Sequence, residues 1–223
     1  MGRKYDLAIF DMDGTLTTNR SSWAYVHEYF GVSNEEAYQA FCNMEIDEAE
    51  FMRRDIGLWM KQKPGITALD VAKIMTGLPL TKGIQETVAA LHYNNIKCVI
   101  CSGGLDSAAR MLTREFGFDG FLSDELETDE NGVLTGEGIR NVDLRDKGAS
   151  AEKLMKEFGA APERTFAVGN SFGDVSMFDR VGMSIAFNPT DEWTAGQADH
   201  VVRSDNISDI LEFVFLVEVE DGI

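Results

Sequence analysis

What most constrains this chain is a repeated unit in which a short apolar run stops at a polar or glycine turn and gives way to a helical pattern. Tyr5–Phe10 stops at Asp11-Met12-Asp13-Gly14, Lys97–Cys101 at Ser102-Gly103-Gly104, and Thr165–Val168 at Gly169-Asn170-Ser171. Runs that are continuously apolar, instead of alternating, belong to strands buried on both faces, which is the mark of a parallel sheet. Helical patterns run to Asn94, through Phe116, over Asp146–Phe158 and Gly173–Val181, and Ile207–Val214 forms a last one. Met183–Ala186 and His200–Val202 supply two further strands, and Asn131-Gly132 lies at the turn of a hairpin flanked by Leu126–Thr128 and Val133–Gly136. The expected fold class is α/β, an open, mainly parallel Rossmann-type sheet with helices on both faces. Such sheets bind ligands at the carboxyl ends of their strands.

The rhythm is interrupted after its first strand. From Ser21 to Thr76 the pattern is helical: Ser33-Asn34-Glu35-Glu36 reads as a capping box opening a segment to Met44, Asp47–Lys61 has apolar residues at helical spacing, and Thr67 starts a short helix. The expected organisation is an α/β core formed by 1–17 and 78–223, with a helical insert over 18–77.

Composition narrows the function. The 223 residues contain 20 Lys and Arg against 38 Asp and Glu, a net charge of −18, and no basic stripe, so nucleic acid and anionic membrane surfaces are poor partners. The longest apolar stretches are far short of the roughly 20 residues a membrane helix needs. The start enters a strand-like run without the apolar segment of a signal peptide, so a cytoplasmic location is expected. Three cysteines cannot all pair, and Cys98 and Cys101 lie inside an apolar run, which argues against a zinc or redox pair. An anionic small substrate would need a local cation.

Four groups of residues at strand ends or helix starts supply the chemistry. Asp11 and Asp13, two positions apart where a strand leaves the sheet, can converge on one point and invite a divalent cation. A calcium loop is excluded by spacing, because Thr15, Leu16 and Ser22 stand where its fifth, sixth and twelfth positions would be. Ser102, Gly103 and Gly104 offer a hydroxyl and backbone N–H groups to an anion. Lys147 sits in the first turn of its helix, where the macrodipole disfavours a cation, so the position hints at a role. Asn170 and Asp174 offer oxygen ligands to a hard cation. The order of the four, all at one edge of the sheet, is more informative than any one alone.

With Asp11-Met12-Asp13-Gly14-Thr15-Leu16, Cys101-Ser102-Gly103-Gly104, Lys147-Gly148, and Val168-Gly169-Asn170-Ser171-Phe172-Gly173-Asp174 followed by Ser176-Met177-Phe178, the chain resembles the haloacid dehalogenase superfamily of phosphohydrolases. Within it the chain is similar to the phosphoserine phosphatase-like group with a small helical cap. Leu134-Thr135-Gly136 after the hairpin also matches, and the resemblance covers nearly the whole chain. It implies that 18–77 is the cap. It implies a phosphatase acting on a small phosphorylated metabolite, in which Asp11 attacks phosphorus to form an aspartyl-phosphate and Asp13 serves as general acid and then base. Mg²⁺ would be held by Asp11, the backbone carbonyl of Asp13, Asn170 and Asp174, with Ser102, Gly103, Gly104 and Lys147 binding the phosphoryl group. The dehalogenases of the superfamily lack a second acid at the place of Asp13.

The sequence also departs from the pattern. Asn170 stands where the family usually has Asp, which implies weaker Mg²⁺ binding and a gain on Asn170→Asp. Arg20 occupies the place of an acid that meets the substrate amino group, which argues against phosphoserine and favours an acidic phosphometabolite without an amine. Arg53 or Arg54 is a candidate grip for a substrate carboxylate, although ungapped matching puts Asp55 there. A phosphotransferase or phosphomutase of the same fold, and a phosphate-binding module without turnover, remain alternatives. Oligomeric state and the role of the tail from Phe215 are not legible in the sequence.

Overall fold

A computed structural model describes residues 4–215. In chain order the elements are β1 (Leu7–Phe10), α1 (Ser22–Phe30), α2 (Glu35–Cys42), α3 (Glu48–Gln62), α4 (Ala68–Met75), α5 (Ile84–Tyr93), β2 (Lys97–Leu105), α6 (Asp106–Phe116), β3 (Gly120–Thr128) and β4 (Leu134–Ile139). Then come α7 (Lys147–Phe158), β5 (Thr165–Gly169), α8 (Phe172–Phe178), β6 (Met183–Phe187), α9 (Glu192–Ala195), β7 (His200–Val202) and α10 (Leu211–Val214). Among these residues the seven strands form one sheet in the order β4-β3-β2-β1-β5-β6-β7. Every pairing is parallel except β3 with β4. The sheet is the open α/β sheet expected.

β1 is the centre of this arrangement. Its Phe10 pairs with Ile100 of β2 on one side and Val168 of β5 on the other, and the chain builds outward in both directions from it. A crevice opens at the carboxyl ends of such strands, where strand order reverses. Side-chain alternation along β1 explains the continuous apolar run. Ala8 and Phe10 enter the core beneath α5 and α6, whereas Leu7 and Ile9 enter the core beneath α7 and α8.

Helices α1–α4 all lie between β1 and α5. Their apolar residues Val26, Ile56, Trp59 and Val71 join the larger of the two cores, so the insert is packed continuously onto the sheet. Among the described residues, no helix is long and apolar enough to cross a membrane.

Several local expectations change. β2 does not stop at Cys101 but continues through Ser102, Gly103 and Gly104 to Leu105. β3, unanticipated before Leu126, begins at Gly120 and holds that extension in the sheet. The capping box at Ser33 does not form: Asn34 is the N-cap of α2 without a side-chain cap bond, and its amide Nδ2 donates to Asp55 at 2.5 Å. α2 ends at Cys42, two residues before Met44 with its left-handed φ of 61°. The last helical segment splits into a 3₁₀ turn at Ile207–Ile210 and the short α10. The hairpin turn, by contrast, forms as expected, with Asp129 Oδ1 accepting from the N–H groups of Asn131 and Val133. The tail singled out from the sequence lies, beyond Phe215, outside the described residues.

Candidate active site

The floor of the site is made by the ends of β1, β2 and β5 and the starts of α7 and α8. Asp11 follows β1 directly and is 3% exposed. Lys147, the first residue of α7, is also buried, and its Nζ lies 2.7 Å from Asp11 Oδ1 and 2.7 Å from Asp174 Oδ1. Two carboxylates thus offset the unfavourable placement of a cation at a helix start. Burial works against the Lys147 ammonium, but Asp11 and Asp174 carry it well above its usual value. Burial, followed by the Asp174 charge, pushes Asp11 up to about 7 against the opposing pull of Lys147. Thr15 Oγ1 donates to the other oxygen, Asp11 Oδ2, at 3.1 Å.

Asp13 lies one turn further along. Both the N–H and the hydroxyl of Ser22 donate to its Oδ2 at 2.9 Å, while Oδ1 is buried and receives no hydrogen bond. Burial raises its pKa, partly offset by the Ser22 bonds. Ser22 Oγ also accepts from Leu105 N at 2.9 Å, so one fully buried hydroxyl fixes Asp13 relative to the end of β2. Ser22 was missed in the sequence reading; its only local signal is its position at a helix start, one residue after the N-cap Ser21.

The phosphate-facing segment of β2 is shaped by a bulge. Ser102 pairs with Ser123 and Leu105 with Asp124, so Gly103 and Gly104 fall out of register with β3. Ser102 Oγ accepts from Gly104 N at 3.1 Å, leaving its proton free to donate. A Cβ on Gly104 would lie 2.5 Å from Asp13 Oδ2 and 2.6 Å from Ser22 Oγ, so glycine is required by the close approach of two chains.

Asp174 completes the floor in a role different from the ligand role expected of it. One oxygen takes Lys147, and Oδ2 accepts from Asn170 N and Ser171 N at 2.9 Å and from Ser171 Oγ at 3.1 Å. Both oxygens are committed, which places Asp174 behind the site as the anchor of Lys147 and of the β5–α8 turn. Asn170 is different: its Oδ1 is buried and receives no hydrogen bond. Gly14, with φ of 83°, leaves room for that amide, since a Cβ there would collide with Asn170 Nδ2. Among the described residues no cluster of three or more His, Cys, Asp or Glu side chains is arranged to hold a metal. The available set mixes carboxylate and amide oxygens, which suits a hard cation.

Above the floor lies a cavity of about 580 Å³, lined by Asp11, Asp13, Ser102, Gly103, Gly104 and Lys147 and by residues of α1, α2 and α3. Trp23 Nε1 donates to Gly103 O at 3.0 Å and stacks on Trp59, tying roof to floor. Trp59 Nε1 donates to His27 Nδ1 at 3.0 Å, so the other ring nitrogen, Nε2, faces Asp55 Oδ1 at 2.8 Å with the proton. Arg20 lines the cavity and is exposed. Arg54 does not line it: its Nε donates to Glu50 Oε1 on the exposed side of α3, and Arg53 pairs there with Glu50 and Glu137. The expected carboxylate grip is therefore absent from the site, because helical phase turns positions 53 and 54 outward and 55 inward. Cys98 and Cys101 are buried in β2, and burial pushes the Cys101 thiol up to about 12.

Comparison with known proteins agrees with this geometry. A phosphoserine phosphatase of Archaeoglobus fulgidus is 30% identical over 214 residues, covering 92% of this chain and 58% of that protein. One of Methanocaldococcus jannaschii is 29% identical over 223 residues, covering 96% of this chain and all of that protein. A solved structure described as a phospho-aspartyl intermediate analogue of phosphoserine phosphatase superposes with a TM-score of 0.77 at 26% identity, over 94% of this chain and 99% of the other. Residues 8–179, from the first strand through the Asp174 turn, match the haloacid dehalogenase-like hydrolase family, and the chain belongs to that family.

Proposed function

We propose that the chain is a Mg²⁺-dependent phosphatase that hydrolyses a small phosphate monoester through an aspartyl-phosphate on Asp11. The observation that carries this reading is the Asp11–Lys147–Asp174 array at the strand ends, with Asp13 and Ser102 opening onto the same cavity. Likeness to the phosphoserine phosphatases supports it.

The Asp11 carboxylate attacks phosphorus, a P–O bond to Asp11 forms, and the bond to the ester oxygen breaks. Asp13, whose buried carboxyl is raised and so retains a proton more readily, donates that proton to the departing alkoxide. It then takes a proton from the water that attacks the aspartyl-phosphate, releasing inorganic phosphate and restoring Asp11. Lys147 and the Ser102 hydroxyl, with the bulged backbone at Gly103 and Gly104, hold the phosphoryl oxygens. Lys147 is one cation among Asp11, Asp13 and Asp174, so an anionic substrate meets an excess of negative charge. The donor-free side-chain oxygen of Asn170 fits a divalent ion. Asp11, the Asp13 backbone carbonyl and Asn170 would hold Mg²⁺, which supplies charge neutralisation when bound. Residues 18–77 act as a cap that shields this chemistry from water.

Release of inorganic phosphate from a panel of monoesters, with and without Mg²⁺ and without an added acceptor, tests the proposal. Asp11→Asn is expected to lower turnover by more than about 10³-fold, equivalent to over roughly 4 kcal/mol in the barrier. Turnover that survives Asp11→Asn overturns the nucleophile assignment, and turnover only with an acceptor alcohol replaces hydrolysis by transfer.

A further inference from the structure

The roof of the cavity contains a buried carboxylate with no assigned work. Glu48 opens α3, is 6% exposed and lines the cavity. Its Oε2 accepts from Arg140 Nη1 at 3.4 Å, and the Arg140 side chain is half exposed. Its Oε1 is buried and receives no hydrogen bond. A buried carboxylate oxygen without a donor is destabilising, and a ligand that supplies the donor removes that penalty.

Its surroundings are acidic. Asp124, 1% exposed on β3, and Asp55, 2% exposed on α3, line the same cavity. His27 and Asn34 both reach Asp55 Oδ1, and the N–H groups of Asn141 and Val142 both reach Asp124 Oδ1. Glu48 is the member of the three with a fully buried oxygen that no donor reaches. Burial and the nearby Asp124 charge raise it to about 7, as expected where no full counter-charge is present. Trp23, Tyr38, Phe41 and Phe51 contribute aromatic surface to the same cavity, with Phe41 and Phe51 stacked at 5.2 Å. Carboxylates beside aromatic rings favour an organic cation. Of the cavity's two cations, Lys147 is engaged by Asp11 and Asp174, and Arg20 is exposed. Arg20 in the sequence favours an acidic phosphometabolite; the buried charges of the cavity point the other way.

We propose that the cavity selects phosphate monoesters whose alcohol carries an ammonium group and no carboxylate, with Glu48 as the residue that receives the ammonium. This rests on the phosphatase reading above. The test compares kcat/KM for 2-aminoethyl phosphate, ethyl phosphate and phosphoserine in wild type, Glu48→Gln and Glu48→Asp, with p-nitrophenyl phosphate as a reporter of hydrolysis itself.

Wild type is expected to favour 2-aminoethyl phosphate over ethyl phosphate by about tenfold or more, a difference of the size one matched polar contact gives. That ratio falls about tenfold in Glu48→Gln and is partly kept in Glu48→Asp, which retains the charge. Phosphoserine, with its carboxylate, ranks below 2-aminoethyl phosphate. A ratio near one in wild type, or one that survives Glu48→Gln, overturns the assignment of Glu48. Preference for phosphoserine over 2-aminoethyl phosphate overturns the exclusion of a carboxylate. Failure to hydrolyse any of the four esters removes the phosphatase reading instead, and this inference with it.

Discussion

The floor and the roof of the cavity are built from different kinds of interaction. On the floor, Asp11, Lys147 and Asp174 are each at most 4% exposed at the side chain, with Lys147 bridging the two carboxylates at 2.7 Å, and they stand at the end of β1 and in the first turns of α7 and α8, beside strands paired on both sides. In the roof, α1 and α3 hold a buried chain of hydrogen bonds, Trp59 to His27 to Asp55, while Tyr38 on α2 and Arg54 on α3 are exposed. A floor of mutually satisfied charges leaves little room for substitution. A roof that needs only to cover the floor and pack onto the sheet is free to vary in the groups it presents, so selectivity is expected to reside there.

The sharpest way to break this contrast is Lys147→Met. It strands two buried carboxylates, so a loss of about 3–5 kcal/mol in unfolding free energy is expected along with near-complete loss of turnover; denaturant unfolding and phosphate release read the two effects separately. Asn170→Asp adds a charge to an oxygen that has no donor, and a lower Mg²⁺ half-saturation for activity is expected. An unchanged half-saturation would remove Asn170 from the metal site.

In the roof, Glu48→Gln probes stability through pH. The folded carboxyl is raised to about 7 from an ordinary 4.5, so the folded protein holds the proton more tightly than the unfolded chain does. Ionisation of Glu48 therefore costs stability as pH rises from about 4.5 to about 7. Glu48→Gln removes that cost, and its Tm relative to wild type is expected to be higher at pH 8 than at pH 4.5. The smallest effect belongs to Arg54→Ala. An exposed residue paired with Glu50 on its own helix is expected to change stability by no more than about 0.5 kcal/mol and to leave the substrate ranking intact, in contrast to the buried Lys147.

The legibility of the two regions differs for the same reason. Asp11, Ser102, Asn170 and Asp174 are legible because a parallel sheet exposes the carboxyl end of each strand to one crevice and short apolar runs mark those ends, whereas Lys147 stands out by its place in the first turn of a helix. Ser22 was not found, because its bonds to Asp13 and Leu105 span 9 and 83 residues and leave no local pattern. Arg54 was misplaced because one residue of helical phase separates the outward face from Asp55.

What the sequence by itself determined is the sheet, its crevice and the residues at the strand ends, since apolar periodicity and turn chemistry are local properties. The tertiary structure alone decided how the charges are shared. It committed Asp174 to Lys147 and the turn backbone, paired the Asn34 amide with Asp55, extended β2 through Gly103 and Gly104 against β3, and left a buried oxygen of Glu48 without a donor. Each of these depends on which distant group reaches a donor or acceptor first, and burial makes that choice energetically decisive.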